Sequence, residues 1–397
     1  MKSHRFLGFG SLRAEVWFLA ISMILILCGS RALPSGLTQP FGDEVPGRIA
    51  TSQATSLPGD QSLWYDIQLL GVEGKGWEDT VHFFDRLPKR AKGVVRDPVW
   101  NLAHNSAGLC VRFVTNANAI SARWTLRSEQ LALEHMPATA VSGLDLYIRD
   151  RDDWRWLAVG RPSQFPTNQK VLVQGLSAEF HEFLLYLPLY NGVESVQVGL
   201  PADAILSKTP AQTEKDKPVC FYGTSITQGG CASRPGMSYV SILGRMLHRP
   251  VINLGFSGNG PMDLEMAPLL AELDPSAFVL DCLPNMEAAM VRERTEPFVK
   301  ILRTAHPLTP IVLVENIVYT NAPYVSARRE SYQAKNAALS AAYSRLVASG
   351  IRNLYYVHGE ELLGQDGEDT VDGTHPTDLG FLRIAEALRP VLSQLVR

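Results

Sequence analysis

Ser225 lies in the run Gly223-Thr224-Ser225-Ile226-Thr227-Gln228-Gly229-Gly230, just past the apolar stretch Val219–Tyr222. A serine hydroxyl placed there can act as a nucleophile if a neighbouring base takes its proton. Asp372-Gly373-Thr374-His375-Pro376 offers that base, since a carboxylate three residues before a histidine can accept the Nδ1–H and leave Nε2 facing the serine. Gly255-Phe256-Ser257-Gly258-Asn259-Gly260 can turn tightly and expose backbone N–H groups as donors to an oxyanion. Asn285, in Asp281-Cys282-Leu283-Pro284-Asn285-Met286, can present its amide to a ligand or, equally, cap a following helix. Each motif alone has a plainer reading, as a loop serine, a Gly-rich turn, or a surface D-G turn beside a histidine. Together they supply every role in one acyl-transfer reaction. The serine turn is not a G-x-S-x-G elbow, because position 227 is Thr, and no G-K-[ST] makes it a phosphate loop.

These residues share a topological address. Apolar runs at Val219–Tyr222, Val251–Leu254, Ala277–Leu280, Ile311–Val314 and Leu354–Val357 read as strands. They alternate with helical spacing over Met237–Leu247, Leu264–Leu273, Glu287–Ala305, Arg328–Ser349 and Thr377–Leu395. Successive βα units predict a parallel, doubly wound α/β sheet with right-handed crossovers and functional loops at the strands' carboxyl ends. All four motifs follow such ends.

The preceding half has a different period. In Ala119–Leu126, residues Ile120, Ala122, Trp124 and Leu126 alternate with Ser121, Arg123 and Thr125, which buries one face of a sheet. Short runs at Leu109–Val114, Leu144–Arg149, Trp154–Val159, Glu182–Leu187 and Ser195–Val198, with almost no helical pattern, predict an all-β sandwich or jelly roll over 61–206. Ser207–Lys217 is polar and charged and reads as a linker to an α/β unit at 218–397, while 33–60 reads as a loose lead-in.

Residues 1–32 read as a signal peptide. Lys2, Arg5 and Arg13 precede an apolar run from Val16 to Gly29, about 14 residues where a membrane-crossing helix needs roughly 20, and cleavage is expected near Ala32. The alternative is an uncleaved N-terminal anchor, and Leu27 before Cys28 argues against a lipoprotein. The mature chain is expected to be exported without a further membrane span. Cys28 would leave with the signal, and Cys110, Cys220, Cys231 and Cys282 allow three full pairings, although apolar surroundings make buried thiols the ordinary reading. No paired Cys/His spacing suggests a metal site.

The whole chain has 397 residues, with Lys+Arg 37 against Asp+Glu 40 and a net charge of −3. That balance gives no electrostatic source for sequence-independent nucleic-acid binding. Apolar residues at 46% allow a sizeable core.

The α/β half resembles the SGNH (GDSL-like) hydrolase superfamily. Ser225 matches its block-one serine, Gly258 the block-two glycine, Asn285 the block-three asparagine, and His375, preceded by Asp372, the block-five histidine. Two departures place the chain in a side branch: Gly223-Thr224-Ser225 where G-D-S is usual, and Leu283-Pro284-Asn285-Met286 in place of G-x-N-D. Ser142-Gly143-Leu144-Asp145-Leu146-Tyr147 looks like the G-x-D-L-Y signature of a bacterial sandwich domain found ahead of such hydrolases, and Leu185–Gly192 is also similar to that group. The resemblance implies a flavodoxin-like three-layer fold. It also implies a Ser225–His375–Asp372 triad and an oxyanion hole from the Ser225 and Gly258 N–H groups and the Asn285 amide, with no metal or organic cofactor.

The layout is similar to that of carbohydrate esterases that remove acetyl groups, so the expected substrate is a small-molecule or polysaccharide ester. A lipase or aryl-esterase of broader acyl range is the alternative, and a non-catalytic carbohydrate-binding protein with a decayed hydrolase unit is the alternative from another class. Trp77, Trp100, Trp124, Trp154 and Trp156 are candidates for sugar contact or, more ordinarily, core. His82, His104, His135 and His181 have no partner at useful spacing. His358-Gly359-Glu360-Glu361 can line the cleft or a solvated loop, and Arg234 and Tyr239 are near enough to the nucleophile in sequence to touch substrate.

Overall fold

Alternation of apolar and polar residues builds the first layers. In the computed structural model, which describes residues 47–209 and 217–396, the odd–even pattern of Ala119–Leu126 becomes a strand with Ile120, Ala122, Trp124 and Leu126 buried. The expected signal segment, Cys28 and residues 210–216 of the expected linker lie outside the described residues.

Among the described residues, eleven strands precede residue 209: β1 Thr55–Ser56, β2 Ser62–Asp66, β3 Val72–Glu73, β4 Cys110–Thr115, β5 Ala119–Leu126, β6 Leu144–Asp150, β7 Asp153–Gly160, β8 Thr167–Gln174, β9 His181–Tyr186, β10 Val193–Pro201 and β11 Leu206–Lys208. They form two antiparallel sheets, ordered β1-β2-β10-β5-β8 and β11-β4-β9-β6-β7, with β3 paired to β4. The inner faces meet in one core that includes Tyr65, Phe113, Trp124, Phe183, Leu185 and Val198. Two short helices, α1 Asp97–Leu102 and α2 Ala138–Val141, interrupt this half.

The second half alternates strand and helix. Strands β12 Val219–Gly223, β13 Val251–Gly255, β14 Ala277–Asp281, β15 Ile311–Val314 and β16 Leu354–Val357 pair in parallel in the order β13-β12-β14-β15-β16. This is the doubly wound order whose strand direction of growth reverses beside β12, and ligands bind such sheets at that reversal. The helices are α3 Ser225–Gln228, α4 Tyr239–Leu247, α5 Met266–Leu270, α6 Ala288–Ala305, α7 Ser326–Ala348 and α8 Asp378–Leu395. Alternate strand residues feed two cores: Cys220, Tyr222, Phe278 and Leu280 pack against α6 and α7, and Val219, Phe221, Val279 and Val312 against α4 and α8. The layers are helix, sheet, helix.

Three boundaries differ from expectation. Ser207 and Lys208 continue β11 against Val114 and Phe113, so the polar linker starts later than 207. Ile49 is buried and donates its N–H to Leu206 O at 2.8 Å, and Thr55 pairs with Trp64, so the sandwich begins inside the expected lead-in. The third difference is larger. Trp77 and Trp100, read as residues of the sandwich half, pack together with Leu87, Ala91, Val95, Val99 and Ala103 against Cys220, Tyr222, Ile252, Leu254 and Phe256 in the α/β core. The physical reason is cover. β13 is an edge strand, and α5, with Pro268 inside it, is a five-residue helix where ten residues of helical spacing suggested a longer one. The exposed face of β12 and β13 is therefore roofed by the segment between β3 and β4. The described residues belong to one compact unit.

Candidate active site

Three carboxyl-end loops of the parallel sheet converge on Ser225. Gly223 ends β12 where an added Cβ would come within 2.3 Å of Asp281 O, so only glycine permits the close approach to β14. Thr224 then caps α3, its Oγ1 accepting the Ile226 N–H at 3.2 Å, and puts Ser225 at the first helical position. The N–H groups of a helix's first turn have no carbonyl partner within the helix, so the Ser225 N–H remains available as a donor.

Ser225 Oγ lies 2.9 Å from His375 Nε2, and His375 Nδ1 lies 2.7 Å from Asp372 Oδ2. With the carboxylate accepting a hydrogen bond from Nδ1–H, Nε2 is the acceptor for the serine hydroxyl. The D-G-T-H run builds this relay locally. Asp372 Oδ1 accepts the backbone N–H of Thr374 at 2.9 Å and of His375 at 2.8 Å, which orients the carboxylate before its other oxygen meets the ring. Partial burial works against the charge of Asp372, but these hydrogen bonds outweigh it and hold its pKa at about 2. Ser225 is buried, His375 is half-buried and Asp372 is exposed.

The loop from Gly255 to Asp263 is held at almost every residue. The Phe256 N–H donates to Gly223 O, the Ser257 N–H to Gln228 Oε1, and the Gly260 N–H to Asn285 Oδ1 at 3.1 Å. Gly258 is the exception. It is exposed, has φ +68°, leaves open space where a Cβ would be, and its N–H has no partner among the described residues. Since the Gly260 N–H can only donate, Asn285 must face it with Oδ1, which leaves the two Nδ2 hydrogens as donors. Asn285 does not cap a helix: it closes a 3₁₀ turn at Leu283–Asn285, and Glu287 stands at the N-cap of α6.

The N-terminal half contributes to this site. The Tyr190 hydroxyl donates to Ser225 O at 3.4 Å, and Gln228 Nε2 donates to Asn105 Oδ1 and Leu189 O, each at 3.0 Å. His135, exposed on the turn before α2, sets its ring 5.8 Å from that of His375. No spacing in the chain signals that contact. Two residues of the G-x-D-L-Y stretch also acquire a task. Buried Asp145 accepts from Arg234 Nη1 and the Gly236 N–H through Oδ2, both at 2.8 Å, and from Trp156 Nε1 at 3.0 Å through Oδ1. The Arg234 guanidinium also donates to the Tyr147 hydroxyl at 2.5 Å.

Arg234 is therefore turned toward the sandwich, where a buried carboxylate draws its charge, and away from the substrate contact its position suggested. Tyr239 is likewise corrected. It is fully buried and donates to Asp281 Oδ2 at 2.9 Å, which Thr227 Oγ1 also reaches at 3.2 Å. Burial pushes the Asp281 carboxyl up to about 6 against those two hydrogen bonds.

His358 and Glu360 line a separate cavity of about 250 Å³ with Glu315, Tyr332 and Asn336. Trp77, Trp100 and Trp124 are buried, Trp154 is half-buried and Trp156 is half exposed. His104 pairs with Asp85 at 3.0 Å, and His181 Nε2 lies 3.0 Å from Ser177 Oγ. Cys110, Cys220, Cys231 and Cys282 are buried free thiols. Among the described residues, no His, Cys, Asp or Glu cluster can hold a metal ion, and no helix is long and apolar enough to cross a membrane.

Both halves of the chain resemble known proteins. Residues 216–393 match the GDSL-like lipase/acylhydrolase family, and residues 62–206 match the GxDLY N-terminal domain of SGNH-type esterases. A solved structure from Bacteroides ovatus, assigned as a GDSL-like lipase, is 37% identical over 84% of this chain and 97% of its own, with a TM-score of 0.79. A salicylyl-acyltransferase of a tetracycline biosynthetic pathway shares the fold at 18% identity, covering 86% of this chain and 93% of its own, with a TM-score of 0.63. An acetyl xylan esterase from Butyrivibrio proteoclasticus shares it at 11% identity, covering 83% and 98%, with a TM-score of 0.53. No curated protein sequence matches the chain. The protein belongs to the GDSL-like lipase/acylhydrolase family of SGNH-type esterases.

Proposed function

We propose that this esterase is exported and deacetylates O-acetylated carbohydrate through an acyl-enzyme on Ser225. The observation that carries the catalytic part is the relay in which Ser225 Oγ stands 2.9 Å from His375 Nε2 and Asp372 Oδ2 stands 2.7 Å from Nδ1. His375 takes the Ser225 proton as Oγ attacks the ester carbonyl, and Asp372 stabilises the imidazolium that forms. The Ser225 and Gly258 N–H groups and the Asn285 amide receive the oxyanion, where loss of one donor typically lowers kcat by ~10²–10³. His375 then gives its proton to the departing alcohol oxygen. Water, activated by His375, hydrolyses the acetyl-enzyme and restores the serine.

The carbohydrate substrate is supported by the likeness in fold to an acetyl xylan esterase across both halves of the chain. Export is supported by the apolar run Val16–Gly29 behind Lys2, Arg5 and Arg13. Assaying acetate released from a panel of acetylated polysaccharides tests the substrate class, and release from at least one polymer is expected.

The likeness to a Bacteroides ovatus protein assigned as a GDSL-like lipase favours a second reading, hydrolysis of lipid or aryl esters with the same triad. Rates on acetyl and octanoyl p-nitrophenyl esters separate the two. Clear preference for the octanoyl ester would exclude the acetylesterase reading.

A further inference from the structure

Two arginines of the N-terminal half grip the loop that carries Gly258, one on each side of it. Arg86 is fully buried, and its guanidinium meets four backbone carbonyls: Leu102 O and Gly255 O at 2.7 Å, Asn105 O at 2.9 Å and Asn253 O at 3.1 Å. Arg96 reaches the other side. Its Nη1 donates to Asn259 Oδ1 at 2.8 Å and its Nη2 to Asn259 O at 3.4 Å, while Nε donates to the largely buried Asp263 Oδ2 at 2.8 Å. Asp263 is held in turn by Arg294 at 2.7 Å. Asn259 is the residue after Gly258, whose N–H has no hydrogen-bond partner among the described residues.

We propose that Arg96 is a positioning residue for the reaction, fixing Asn259 so that the Gly258 N–H stays aimed at the oxyanion. This rests on the reading of Gly258 and Asn285 as oxyanion donors. A planar guanidinium can span Asn259 and Asp263 at once, whereas a lysine ammonium is a point charge that cannot reproduce the fork. A donor aimed in advance is effective because it needs no reorganisation as charge develops, and a small misplacement can lower the rate by orders of magnitude. Arg96 itself is solvent-facing and 44% exposed, so its loss leaves no buried cavity.

The test is steady-state hydrolysis of p-nitrophenyl acetate by the full chain and its variants R96M, R96K, N259A, R96M/N259A and N285A, with thermal melts as a folding control. R96M is expected to lower kcat about tenfold with KM within twofold and the pH profile of kcat unmoved, because the His375–Asp372 pair is untouched. R96K should stay within threefold of R96M, and R96M/N259A should be no slower than the slower single variant. If R96M melts too early to assay, R96K and N259A carry the same comparison. A kcat for R96M within twofold of wild type, a rise in KM alone, or multiplicative effects in the double variant would overturn the proposal. N285A separates the two readings. If N285A retains full kcat, the oxyanion reading fails and the positioning role with it. If N285A collapses and R96M does not, the positioning role alone fails.

Discussion

The carboxylate of Asp145 and the guanidinium of Arg234 meet at 2.8 Å across the junction between the sandwich and the α/β layers. Asp145 is completely buried and Arg234 is mostly so, and Trp156 and Tyr147 enclose the pair. Burial raises the Asp145 pKa, and the Arg234 charge opposes that rise. The G-x-D-L-Y stretch is thus a docking device for the segment that follows α3.

Removing one partner of a buried ion pair leaves the other charge unpaired, which typically destabilises by about 3–5 kcal/mol. Asp145→Ala is expected at the low end, about 3 kcal/mol, because Arg234 keeps some solvent access. Urea denaturation followed by tryptophan fluorescence measures it. A loss under ~1 kcal/mol, the size of an exposed pair, would mean the junction does not depend on this contact.

Asp281 sets a pH dependence of stability. Its folded pKa of about 6 exceeds the ordinary 3.8, so between those values the native state holds a proton that the unfolded chain releases. The contribution of Asp281 to stability must therefore fall as pH rises through that window, by an amount on the order of 2–3 kcal/mol for a buried group. Asp281→Asn, which cannot ionise, should flatten the stability curve between pH 4 and 6 relative to wild type. Parallel curves for the two proteins would show that Asp281 does not titrate there.

His135 is the imidazole that the sandwich half brings against His375. In the proposed mechanism His375 hands its proton to the departing alcohol, so a side chain against its ring stands where a bulky alcohol has to pass. His135→Ala is expected to raise KM several-fold for an acetylated oligosaccharide while p-nitrophenyl acetate, with a small flat leaving group, changes less than twofold. Equal effects on both substrates would remove His135 from the alcohol side.

Much of this was legible in the chain itself, for reasons tied to particular residues. Ile120, Ala122, Trp124 and Leu126 announce a half-buried strand because side-chain direction alternates along any strand, wherever it lies. Ser225, Gly258, Asn285 and His375 could be gathered because a doubly wound sheet brings its carboxyl-end loops together regardless of their sequence separation. Contacts that depend on which surfaces meet left no such trace. The apolar character of Trp77, Val95, Val99 and Trp100 favours burial, and it is silent on which core buries them. The same holds for Arg234, whose partner Asp145 lies 89 residues earlier, and for His135 beside His375. Lead-in residues around Ile49 looked unstructured because a strand of two residues is too short to show a period.

The central claim is that Ser225 is the nucleophile. Turnover of p-nitrophenyl acetate by Ser225→Ala, with a thermal melt to show that the variant folds, tests it most directly. The expected result is a wild-type melting temperature with kcat reduced by at least ~10³, since removing a triad member leaves only binding and oxyanion stabilisation to act. A folded Ser225→Ala protein that hydrolyses the ester at the wild-type rate would place the nucleophile elsewhere.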